Sequence, residues 1–206
     1  MKSYFKDGFG HSYYLWYFAA TVLAGLASQP FNLYSVFYAK EIGMNMDGYF
    51  KCLALTYGFS LLVSYPLGSL ADKFHPLRVT IAALGVYAIV MIAGGLLIRN
   101  ASTFAVALVV HGVASGCLVT ALASLGQRLL PRDKFAEIGS AGGIIGAVST
   151  MLLAPMLGRF LDYTHHDYRY TFFASAALTL MALASAIVVH GRFMALGGPR
   201  NYVAPE

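Results

Sequence analysis

Apolar residues in this chain come in long unbroken runs, and the positions that interrupt them are few and charged. Cutting at every ionisable residue except His111 leaves six windows: 12–39, 52–71, 79–98, 100–127, 138–158 and 170–189. Each is at least 20 residues long, and about 20 helical residues cross a ~30 Å hydrocarbon core. The alternating segments of a membrane barrel are absent, so the pattern predicts an all-α membrane protein with six transmembrane helices. Residues 1–11 form a cytoplasmic lead-in, 12–190 the bundle, and 191–206 a cytoplasmic tail whose Gly197-Gly198-Pro199 predicts mobility.

The windows differ in polarity. The third and sixth are nearly featureless, which suits helices that face lipid. The first and fourth carry most of the polar groups. In the first, Thr21, Gly25, Ser28, Asn32 and Ser35 recur at steps of three and four and share one face, beside an interruption at Gln29 and Pro30. In the fourth, Gly112, Gly116, Thr120 and Ser124 climb in steps of four, flanked by His111, Ser115 and Gln127. Polar groups at membrane depth must face protein or a water-filled cavity. The pattern therefore nominates Gln29, Asn32, His111, Ser115 and Thr120 as a cavity that hydrogen-bonds a small polar solute, a sugar among the candidates. The competing role is contact between helices, worth only ~0.6 kcal/mol per hydrogen bond. For Thr21 and Ser28 packing is the simpler reading. His111 is either a proton carrier or a neutral imidazole satisfied by a neighbouring hydroxyl.

A weak repeat accompanies this pairing. The second window ends Pro66-Leu-Gly68-Ser-Leu-Ala-Asp72, and the fifth ends Pro155-Met-Leu-Gly158-Arg-Phe-Leu-Asp162. The second and fifth of six helices run in opposite directions, so the copies belong on opposite membrane faces. Two inverted three-helix repeats give that arrangement.

Composition agrees. The chain is 58% hydrophobic and 11% charged, with a mean hydropathy of +0.65, where soluble domains carry about 25% charged residues. The net charge of +5 is scattered singly rather than gathered in a patch, so nucleic acid is not the partner. Nine of the 14 Lys and Arg residues fall on the side that holds both termini and the loops 72–78 and 128–137. That side is therefore expected to be cytoplasmic, in an inner or plasma membrane. The charge-free run 12–39 is 28 residues, too long for the ~7–15 apolar residues of a cleaved signal. The aromatic residues between Tyr4 and Phe18 suit an interfacial belt. Cys52 and Cys117 sit inside apolar runs and suggest packing. No metal cluster, phosphate loop or dinucleotide fingerprint is present, so no cofactor is expected. Gly58-Phe-Ser60, with His111 as the sole deep base, leaves an intramembrane hydrolase as a minor alternative.

The turn Gly68-Ser-Leu70-Ala-Asp72-Lys73-Phe-His75-Pro76-Leu-Arg78 resembles the loop signature of the major facilitator superfamily, roughly Gly-x-Leu-x-Asp-Arg/Lys-x-Gly-Arg/Lys-Arg/Lys. Gly68, Leu70, Asp72 and Lys73 match it. His75 replaces the second Gly, Pro76 the next basic position, and a basic residue returns at Arg78. The ending Pro155…Gly158…Asp162, followed by Tyr168-Arg169, is also similar to that superfamily. The resemblance implies a secondary transporter, symport included, working by alternating access. It implies that the first and fourth helices line the solute cavity, the third and sixth lie outside, and the second and fifth meet a second six-helix unit. Gly139, Gly142, Gly143 and Gly146 give the fifth helix small-residue spacing suited to such contact. The family's transporters have two such halves, so this chain looks like one, more like the C-terminal half. Its partner is then a missing half or a second copy. Gly68, Asp72, Lys73, Arg78, Gly158 and Asp162 are expected to form gating loops, with Asp72 pairing with Arg78 or with backbone N–H groups in one access state. The alternative is an ordinary turn, in a non-transporting remnant or interaction scaffold.

Overall fold

The computed structural model describes residues 10–205, so Tyr4, Phe5, Phe9 and most of the lead-in lie outside the described residues. Within them every regular element is helical: α1 (Ser12–Leu26), α2 (Gln29–Glu41), α3 (Met46–Phe74), α4 (Pro76–Leu97), α5 (Ala101–Ala123), the short α6 (Leu125–Leu129), α7 (Phe135–Tyr163), α8 (Arg169–Ala195) and a final turn, α9 (Gly198–Asn201). Five helical stretches are long and apolar enough to cross a membrane, α5 and α6 counting as one. The first window is instead split into α1 and α2. Pro30 has no N–H for the carbonyl four residues back, and the chain steps between the two helices at Ala27 and Ser28.

Turn chemistry sets the other boundaries. Asn45 starts α3 by accepting the Asp47 N–H at 2.9 Å. Asn100 and Thr103 form a reciprocal capping box at the start of α5, satisfying donors that lipid cannot. Pro76 occupies the first turn of α4, where a missing N–H costs nothing.

The connections alternate between two ends of the bundle. At one end Tyr14 donates to the Pro205 carbonyl, Tyr202 donates to the Leu129 carbonyl at 2.7 Å, and the His75 ring lies 4.6 Å from that of Phe193. This end gathers the start of α1, the α3–α4 turn, the segment around α6 and the tail. At the other end the Tyr38 ring lies 5.1 Å from Phe104 and 6.3 Å from Tyr168. So α1 and α2 together run the length of the bundle. The tail, expected to be mobile, turns back through Gly197 (φ +105°) and Gly198 (φ +60°). The Tyr202 ring packs 4.9 Å from Phe193.

α4 packs along α8 and α5, α1 along α8, and α3 along α5; α7 touches α1, α2 and α6 only lightly. In the best spanning window of α4 and of α8, 44% of residues are buried inside the chain, against 6% for α3 and 11% for α7. Within this chain α4 and α8 are therefore the most buried of the five spans, while Val86, Ile89 and Leu96 of α4 and Met181 and Ile187 of α8 remain exposed. Lipid tails are as apolar as leucine, so an apolar helix carries no mark of whether lipid or protein covers it. What lets α4 and α8 approach is small residues: Gly94 and Gly95 lie against the rings of Phe172 and Phe173.

α3 and α7 have the same layout. Both are 29 residues long, with Pro66 lying 20 residues after Met46 and Pro155 lying 20 residues after Phe135. Each proline leaves a carbonyl without its helical donor, which suits a bend.

Candidate functional site

A polar groove of about 770 Å³ lies among α2, α3 and α5. The break between α1 and α2 brings in Ser28, α2 adds Asn32 and Ser35, and α5 contributes His111, Ser115 and Thr120. From α3 come Tyr49, Thr56, Ser60 and Ser64. Four of the five nominated cavity residues therefore meet. Gln29 does not: it is half-buried on the turn before Asn32 and lies off the groove lining.

His111 is 2% exposed and sits at the back wall. Its Nε2 donates to Asn32 Oδ1 at 3.0 Å, and its Nδ1 shares a 3.1 Å hydrogen bond with the Tyr87 hydroxyl. An amide oxygen can only accept, so with Asn32 in its assigned orientation Nε2 carries a proton. The ring also packs edge-on against Phe31, 4.3 Å between centroids. His111 thus ties α2, α4 and α5 together and presents Asn32, itself exposed, to the groove. Ser60 lines the same groove, but both nitrogens of His111 face other residues, whereas a serine nucleophile needs its base within about 3 Å.

The remaining hydroxyls are largely turned inward. Ser115 donates to the Gly112 carbonyl and Thr120 to the Gly116 carbonyl, while Ser35 shares a 2.8 Å hydrogen bond with Tyr49. Thr56 Oγ1 is buried and has no partner among the described residues. Gly112 and Gly116 lie directly against Thr56 and Ser60, so the lower half of the α5 stripe is where α3 and α5 touch. The upper part of the α1 stripe, Thr21 and Gly25, faces α7 in a separate, smaller pocket.

Tyr87 was missed because its span is otherwise apolar apart from Thr80, whose hydroxyl donates to the Ala121 carbonyl at 3.2 Å. The α3 contribution was legible: Thr56, Ser60 and Ser64 recur at steps of four, the spacing of a single helix face.

At the end of the bundle, Asp72 lies 3.7 Å from Arg128, on the segment following α5, rather than pairing with Arg78. Both side chains are more than half exposed, which limits such a pair to ~1 kcal/mol or less. Lys73 and Arg78 line the small pocket around this pair. At the equivalent end of α7, Asp162 lies 3.8 Å from His166, and Gly158 faces the Tyr34 hydroxyl.

His75 explains its own oddity in the turn. Its backbone adopts φ +77° and ψ +130°, a conformation that glycine favours and that costs other residues about 1–3 kcal/mol. This is where the resembling loop signature carries glycine. The histidine offsets part of the strain: its Nδ1 accepts the Leu77 N–H at 3.3 Å, and its ring covers Phe193. Burial, then the nearby Arg128, Arg78 and His190, hold the imidazole below its ordinary pKa. His75→Ala should therefore unfold more readily than His75→Gly, by about 1–2 kcal/mol, because only glycine relieves the backbone. Thermal unfolding of the two variants in detergent checks this; equal midpoints would mean that the turn is unstrained.

The family model described as Major Facilitator Superfamily matches residues 17–193. No curated protein and no solved structure matches the chain.

Proposed function

Because the chain belongs to the major facilitator superfamily, we propose that it is one six-helix unit of a secondary transporter. It moves a small polar solute by alternating access, rocking against a second six-helix unit that is either another half or a second copy. α1 with α2, then α3 and α4, form one three-helix repeat; α5 with α6, then α7 and α8, form its inverted counterpart. The matched prolines of α3 and α7 support this pairing. So do the neighbours: α5 lies on α4 as α1 lies on α8, and α3 packs along α5 where its counterpart α7 touches α1 more lightly. The membrane-spanning helices put the chain in a bilayer, and the basic residues of the end that gathers the tail argue for that end being cytoplasmic.

One observation carries the transport reading. The groove is polar at its back, with Asn32 held outward by His111, yet its rim is apolar and uncovered: Tyr57 is 72% and Leu61 75% exposed. A polar cleft open towards lipid is costly, since polar groups there lack partners. A second unit laid over α3 and α7 would close the cleft into a solvated cavity, and would also cover Met156 and the open glycines Gly139, Gly143 and Gly146. Solute hydrogen bonds fall to Asn32, Ser115 and Thr120, with Gln29 at the edge. Gly68, Asp72, Lys73 and Arg78 at one end, and Gly158 with Asp162 at the other, act as the loop latches, Asp72 engaging Arg128 in the present state.

Reconstitution tests this. Proteoliposomes containing the purified chain should accumulate at least one member of a panel of sugars, polyols and other small polar solutes, and Asn32→Leu should abolish that uptake. No uptake of any solute by a chain that is strictly monomeric in the bilayer would overturn transport by this chain alone.

A further inference from the structure

α3 lies along α5 but leans away from α4, and this leaves a second groove between α3 and α4 that has no polar lining to speak of. Its volume is about 820 Å³; Phe59 and Leu67 form one wall, Val86 the other, and Val113 of α5 the floor. Along α3 it extends from Phe59 to Phe74, about 22 Å of helix at ~1.5 Å per residue. That exceeds the ~15 Å of hydrocarbon in one leaflet of a ~30 Å core. The groove ends at Arg78 and Phe74, which also line the small pocket at the α3–α4 turn. That pocket holds Lys73, Arg78 and Arg128 against the single carboxylate of Asp72, a surplus of positive charge. The field is felt locally: Arg128 and Arg78 are among the causes that lower the His75 pKa.

An apolar channel of leaflet length that opens into a cationic cup has the shape and charge of an anionic amphiphile. We propose that the α3–α4 groove binds an anionic phospholipid of the leaflet on that side, its acyl chain lying over α5 and its phosphate on Lys73, Arg78 and Arg128. The site depends on the chain spanning a bilayer and not on its transporting anything. Its occupant wedges α3 against α5 and neutralises the charges that surround the turn.

Thermal unfolding of the purified full chain in a mild detergent tests it, with dioleoylphosphatidylglycerol, dioleoylphosphatidylcholine and glycerol 3-phosphate as the added probes. Phosphatidylglycerol at roughly 100-fold its dissociation constant should raise the midpoint by about 5–10 °C, with phosphatidylcholine clearly less effective. Lys73→Gln and Arg78→Gln should each weaken the phosphatidylglycerol response by about fivefold in affinity. Ala82→Phe, which fills the exposed groove without entering the core, should suppress it while leaving the lipid-free midpoint unchanged. Equal responses to the two lipids would overturn the headgroup assignment. A response reproduced by glycerol 3-phosphate alone, or one that survives Ala82→Phe, would overturn the acyl-chain site.

Discussion

Replacing Gly94 with leucine is expected to destroy the bundle. A side chain at this position points straight into the Phe172 ring, whose atoms crowd the place a Cβ would occupy. Phe172 has nowhere to go. It is fully buried, with the Phe31 ring centroid 4.5 Å away and Tyr38 at 6.4 Å. α4 and α8 would have to separate, which loosens the two most buried of the five long apolar helices. Ordinary overpacking costs about 1–3 kcal/mol, and here the obstacle is a trapped ring, so about 3 kcal/mol or more is expected. The readout is loss of the monodisperse peak in detergent gel filtration and a large fall in thermal midpoint. Gly85 supplies the control on the same helix, since nothing lies within 4 Å of its added Cβ. Gly85→Ala should be neutral or should stabilise by up to ~1 kcal/mol through helix propensity. If Gly94→Leu and Gly85→Ala behave alike, α4 and α8 do not pack as described.

The second large effect belongs to His111. Truncation to alanine removes the hydrogen bond to Tyr87, leaves that fully buried hydroxyl without its partner, and opens a void beside Phe31. A stranded buried donor costs about 1–3 kcal/mol, and lost ring packing adds to it, so a total of about 2–4 kcal/mol is expected. This exceeds the ~0.6 kcal/mol typical of a single hydrogen bond between membrane helices, because contacts to two neighbouring helices, α2 and α4, go at once. The double variant His111→Leu/Tyr87→Phe removes both polar partners while keeping most of the volume, and should recover most of the stability. It would still leave Asn32 without the Nε2 donor that orients it. Stability regained without uptake would assign His111 a positioning role in the cavity. Uptake regained together with stability would reduce it to a packing residue.

Much of this architecture could be read from the chain. Charge-free windows located the spanning helices because a bilayer admits little else. Steps of three and four found the faces carrying Asn32, Ser115 and Thr120, since helix geometry turns spacing into direction. Pro30 announced the break between α1 and α2. Less legible was anything that depends on which apolar surface meets which. Hydropathy cannot tell a leucine against lipid from one against protein, so it gave no sign that α4 and α8 pack on each other along one face while Ile89 and Met181 stay outward. Gly94 and Gly112, which set the distances between helices, were invisible as contacts until their partners Phe172 and Thr56 were known. Tyr87 was hidden for the same reason, as a hydroxyl in a largely apolar span acquires a role only from the imidazole across from it. The charged turn 72–78 and the segment around Arg128 share one end of the bundle, but Asp72 found Arg128, which sequence distance gave no reason to choose over Arg78.

Whether the groove is a solvated cavity is the central question, and thiol accessibility answers it most directly. In a Cys52→Ala/Cys117→Ala background, cysteines at Asn32 and Ser115 would be exposed, in intact membranes, to a membrane-impermeant maleimide from either side. The transport account predicts rapid labelling of both positions, slowed by the transported solute, while a cysteine at the outward, lipid-facing Ile89 stays unreactive. Failure of Asn32→Cys and Ser115→Cys to react from either side, in a protein whose surface cysteine controls label normally, would contradict it and leave the groove as dry packing.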